Sequence, residues 1–181
     1  GELLHTILKQ IPDDVSLVAQ PVDPGAAAHD FFRGFFEGLE GDDGLIDKLN
    51  DPTKYFDRDD LGKFINQIKK LTDGGFHPEY LAEIVTNAIV LFGKLKLALQ
   101  AVGDLKDVEK IQNLLTILAK GPPGWVKYLG PLFTNPLFFM EIKELIDVFS
   151  ITPPDFYKIG LKFGELLHTI LKQIPDDVSL V

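Results

Sequence analysis

No cysteine occurs among the 181 residues. That absence removes disulfide staples, thiolate nucleophiles and cysteine-ligated zinc or iron–sulfur centres together. Arginine is nearly as scarce, with Arg33 and Arg58 alone, and the formal net charge is −9. Grasping nucleic acid takes clustered lysine and arginine to displace phosphate counterions, so no nucleic acid is expected as a partner. A basic face for anionic membranes is missing for the same reason. The longest unbroken apolar run, Ala88–Phe92, holds five residues, far short of the roughly 20 that a transmembrane helix needs.

Catalytic inventories are equally thin. The serines are Ser16, Ser150 and Ser179, and none sits in a G-x-S-x-G turn. Histidines stand at 5, 29, 77 and 168, without an HExxH or an i, i+4 pair that would grip zinc. Neither a phosphate-binding loop nor a dinucleotide fingerprint is present, nor an Asn-x-Ser/Thr acceptor. No enzyme, cofactor or metal site is expected from these residues. Composition reads as a soluble acidic globule, compatible with an extracellular setting, and the start at Gly1 reads as a processed or excised piece.

What the sequence does have is an overlap. Gly1–Val18 reads GELLHTILKQIPDDVSLV, and Gly164–Val181 repeats it letter for letter. The residues between show no comparable copy, so the chain is one 163-residue period, 19–181, preceded by a second copy of its own end. Three readings follow. The chain is a slice from a tandem array, an engineered circular permutant carrying a duplicated segment, or a molecule whose duplicated terminal helix swaps between copies. The 164–181 copy has its full upstream helix, whereas 1–18 starts in mid-helix, so the second is expected to be the better packed.

Hydrophobic spacing is helical nearly everywhere. Leu3, Leu4, Ile7, Leu8 and Ile11 make one stripe, and Phe31, Phe32, Phe35, Phe36 and Leu39 repeat the pattern in aromatic form. Leu61, Phe64, Ile65, Ile68 and Leu71 mark a helix with Asp59 or Asp60 as its cap. Pro78 to Ala101 is the longest element, and its middle, Ile84–Phe92, is apolar nearly all round, which predicts a central helix covered by others. Further stripes run over 105–118, 136–149 and 156–174, with a short aromatic segment at Trp125 and Tyr128 and a loop at Gln20–Ala27. Nothing alternates like a strand. The fold expected is an all-α single compact multi-helix bundle of about seven to nine helices.

Two features stand out as candidate sites. Glu37–Asp60 holds nine carboxylates against three bases. Asp57, Asp59 and Gly62 fall on positions 1, 3 and 6 of a calcium loop, but Leu61 and Ile68 occupy positions 5 and 12, where ligands belong. Helix capping is the better account of these aspartates. The second feature is the set of fourteen phenylalanines, above all Phe31, Phe32, Phe35, Phe36, Phe138 and Phe139. These either fill the core, at about 1.5–3 kcal/mol per buried ring, or line a groove for an apolar ligand such as a fatty acid. Gly34 and Gly38 leave room on the first aromatic helix for a close neighbour. The function expected is a non-enzymatic repeat unit acting by binding, through end-to-end assembly with copies of itself or adjacent repeat units, with or without an apolar cargo. A scaffold with a filled core and no ligand is the alternative.

Overall fold

The computed structural model describes residues 23–74 and 78–178. Among them are seven α-helices, three short 3-10 segments and no strand, in keeping with the all-α expectation. In chain order the helices are α1 Pro24–Glu40, α2 Arg58–Gly74, α3 Pro78–Ala101, α4 Leu105–Ala119, α5 Pro122–Leu129, α6 Pro136–Phe149 and α7 Phe156–Gln173. The 3-10 segments are Asp43–Lys48, Pro52–Lys54 and Gly130–Thr134.

Helix starts follow a simple local rule. Each first turn leaves amide donors without partners, and a short acidic or amide side chain accepts from one of them, contributing about 1 kcal/mol. Asp23, Asp104, Asn135 and Asp155 do this for α1, α4, α6 and α7. Asp57 does it for α2, taking the amides of Asp59 and Asp60 at 2.9 and 3.2 Å, so the cap lies two to three residues before the position expected. Proline opens α1, α5 and α6, where its missing N–H costs nothing. Pro24–Ala27 is therefore the first turn of α1 rather than part of a loop, and the Trp125–Tyr128 segment is helix α5.

The organising contact is between α1 and α7. Gly34 and Gly38 on α1 face Gly160 and Gly164 on α7, and their partners advance together along both chains, so the two helices run parallel. A Cβ on Gly34 would overlap the Tyr157 carbonyl oxygen and approach the Leu161 nitrogen to 2.8 Å. Gly38 stands in the same relation to Leu161 and Glu165, and Gly164 to Phe35 and Leu39. Four residues without side chains bring two backbones into direct contact, which permits Cα–H···O=C bonds across the interface. The glycines cost about 1 kcal/mol each in helix propensity, and the close packing offsets it.

Around this pair the rest of the bundle closes. Phe163 of α7 is the aromatic hub, with ring centroids 6.2 Å from Phe31, 6.2 Å from Phe35, 6.0 Å from Phe64 and 6.3 Å from Phe92. It thereby ties α1, α2, α3 and α7 together. α2 and α3 are antiparallel, clamped by Lys94 between Asp60 (2.9 Å) and Asp57 (3.5 Å) and by the Asn87–Gln67 amide pair. α6 lies antiparallel on α7 through Lys162–Glu144.

The longest helix is not the central one. Ala88, Leu91, Phe92 and Leu95 are buried, but Ile89, Val90 and Leu97 are 39, 47 and 52% exposed. Helical periodicity shows which residues share a face; it does not show whether a neighbour covers that face. Here α7 has the central position, and α3 lies at the edge with an apolar side that is exposed among the described residues.

Candidate functional site

The six phenylalanines named from the sequence do not gather into one site. Phe31, Phe32, Phe35 and Phe36 are fully buried and pack on one another in stacked, tilted and edge-on pairs 5.3–6.0 Å apart. Phe138 is buried separately on α6, edge-on to Phe133, while Phe139 beside it is 44% exposed. A gap beside Phe64, Phe92 and Phe163 measures only ≈10 Å³, at the threshold for a single water molecule. The aromatic interior is filled by its own rings.

The acidic stretch also resolves into structure. Asp57 caps α2, and Asp59 and Gly62 lie inside that helix, so the 57–68 segment is not a calcium loop. Its capping bonds hold the Asp57 carboxyl below its ordinary value, and Lys94 adds to this. Asp42 accepts from the Gly44 amide and Asp51 from the Thr53 hydroxyl. Asp42 and Asp57 thus serve local backbone turns, and Asp60 pairs with Lys94.

A polar cavity of ≈270 Å³ opens where the second half of α7 meets the start of α6 and the end of α1. On α7, Glu165, His168, Thr169, Lys172 and Gln173 recur at i, i+3, i+4, i+7 and i+8, which is one helical face. α6 contributes Asn135, Leu137 and Glu141, and α1 only the backbone at Gly38. Glu141 is 8% exposed and accepts a hydrogen bond from the Thr169 hydroxyl. Burial raises its carboxyl above the ordinary value, the Thr169 bond opposes that rise, and the nearby Glu165 and Glu144 add to it. His168 and Lys172 are exposed at the cavity's edge. All five α7 residues belong to the segment that occurs twice in the sequence.

A second polar group adjoins the α1 end. Glu40, Asp104 and Asp107 bring carboxylate oxygens within 4.8 Å of one another, a set of hard oxygen donors of the kind that suits calcium or magnesium. Asp104 Oδ2 and Asp107 Oδ2 are buried without a hydrogen-bond partner among the described residues. Burial raises both carboxyls, and His168 partly offsets this at Asp107.

Sequence reasoning missed both groups. The acids come from helices more than sixty positions apart, so no local spacing marks them. The α7 face was legible as a polar stripe, but only the fold reveals that α6 stands across from it. His29 lies exposed beside Asp30 at 3.8 Å; His5 and His77 lie outside the described residues. No family model, curated protein or solved structure matches the chain.

Proposed function

We propose that the chain is a non-enzymatic helical repeat unit that acts by assembly, coupling to further copies through its duplicated terminal helix. The observation that carries this reading is the position of the repeated sequence. Gly164 to Val178 comprises the second half of α7 and the segment that follows it, and it packs into the core: Gly164, Leu166, Leu167, Thr169, Leu171, Ile174 and Val178 are all buried. Downstream of the helix, Lys110 of α4 pairs with Asp176 at 2.7 Å and bonds the Ile174 carbonyl at 2.6 Å. Asn113 bonds the carbonyls of Pro175 and Asp176. Every residue that the 164–178 segment contributes to these contacts has an identical counterpart in residues 1–18. A groove that accepts one copy therefore meets the same chemistry in the other.

The N-terminal copy, residues 1–18, and with it the expectation that the second copy is the better packed, lies outside the described residues. A second copy of a core-forming segment in the same chain is the sequence condition for swapping or end-to-end linkage between molecules. Carriage of a fatty acid is the lesser reading, because the phenylalanine interior is occupied by its own rings and a lipid site needs hundreds of cubic ångströms.

Light scattering tests the proposal. The full chain should gain mass with concentration, whereas a chain lacking residues 1–18 should stay monomeric with unchanged helicity. A full chain that remains monomeric at every concentration sinks the assembly reading.

A further inference from the structure

We propose that the polar cavity between α6 and α7 is a binding site for a small linear zwitterion, with an ammonium group held at Glu141 and Glu165 and a carboxylate held at Lys172. The proposal is independent of assembly and rests on how charge is distributed along the cavity. α6 and α7 are antiparallel, as the Lys162–Glu144 and Thr169–Glu141 contacts fix. That register sets Glu141 against Thr169 and Glu165, and it sets Asn135, six residues earlier on α6, toward Lys172 and Gln173. One end of the cavity is thus acidic and the other basic. Six residues of helix separate Asn135 from Glu141, about 9 Å of rise, and seven separate Glu165 from Lys172.

Each end has the means to hold its charge. At the acidic end Glu141 is buried and, among the described residues, hydrogen-bonds only with Thr169. A carboxylate accepts several hydrogen bonds, so Glu141 has acceptor capacity to spare for an ammonium group. Glu165 already shares Lys162 at 3.6 Å, which places it as the second, weaker acceptor. At the basic end Lys172 forms no ion pair among the described residues. The N-terminus of α6, capped by Asn135, adds a partial positive charge on the same side. The ≈270 Å³ volume suits a molecule of amino-acid size and is too small for a lipid.

A ligand with only one charge satisfies only one end, and that is the basis for the test. Calorimetric titration of the full chain with 6-aminohexanoate, hexylamine and hexanoate should show saturable binding of the first, with the other two weaker by about tenfold or more. Glu141→Gln and Lys172→Met should each weaken 6-aminohexanoate by a similar factor, while Lys158→Met, on the first turn of α7, should leave it unchanged. Circular dichroism checks that each variant is folded. Lys172 is exposed, so its variant keeps the test decisive if Glu141→Gln does not fold. The site is overturned if 6-aminohexanoate does not bind at about 10 mM. It is overturned equally if all three molecules bind alike, or if the Lys172 variant binds as the parent does.

Discussion

Gly160 sits so close to the backbone carbonyl of Phe31 that a Cβ there would overlap the oxygen. The same substitution at Gly93, in the middle of α3, meets nothing within 4 Å. Alanine at these two positions should therefore act in opposite directions. Gly160→Ala forces α1 and α7 apart, and overpacking of this kind costs about 1–3 kcal/mol or more. Gly93→Ala gains helix propensity, about 1 kcal/mol. Urea unfolding of the two variants checks the pair; a neutral Gly160→Ala would mean the helices are not in backbone contact.

Phe163 meets four other rings from three helices, and its removal should be felt across the bundle. Phe163→Ala is expected to cost about 3–5 kcal/mol. For a chain of this size each kcal/mol lowers Tm by about 2–4 °C. Scanning calorimetry measures it. A loss below 1 kcal/mol would show that the hub collapses easily or is loosely filled.

A filled aromatic interior also makes a prediction about composition. Native mass spectrometry of protein purified from cells should give the mass of the bare polypeptide, and a fluorescent fatty acid should gain no signal on mixing. A co-purifying lipid that survives desalting would restore the carrier reading.

Asp107 should make stability depend on pH in a particular sense. Burial raises its folded carboxyl above 3.8, with His168 opposing. A group raised in this way stabilises the fold below its unfolded value, and that contribution is lost as pH rises through the folded value. At neutral pH the ionised Asp107 is thus a burden, and Asp107→Asn should be more stable than the parent. The advantage should shrink as pH falls toward 3.8. A constant difference across that window, measured by thermal melts at several pH values, would contradict the assignment.

Lys110 anchors the segment after α7 through Asp176 and the Ile174 carbonyl. The ion pair holds the Asp176 carboxyl below its ordinary value, so this contact is present at neutral pH and is lost on acidification below that lowered value. Lys110→Met should expose amides near 174–178 to faster hydrogen exchange while the α1–α7 core stays protected. Uniform loss of protection would indicate global rather than local opening.

The helices were legible because their cause is local. Asp104, Asn135 and the prolines announce where helices begin, and the spacing of Leu61, Phe64 and Ile68 gives a periodicity that no strand would show. Gly34 and Gly38 were legible as an invitation to a neighbour, although the neighbour's identity was not. What stayed hidden depends on contacts between distant segments. Nothing in Ile84–Phe92 says that Ile89 and Val90 stay exposed among the described residues, and nothing near Glu40 announces Asp104 and Asp107. The cavity was half visible, since its α7 face reads directly from Glu165 to Gln173. Glu141, by contrast, looks like any exposed helix acid until α6 is placed on α7.

The bonds from Lys110 and Asn113 to residues 174–176 have a mechanical consequence. A pull on the chain beyond Val178 is not delivered to the tip of α7 as a peeling force. It reaches α4 first, where an ion pair and several hydrogen bonds share it. In any chain of such units, tension would pass from one to the next across the short segment after the helix, leaving the glycine-paired core unloaded until that fastening gives way.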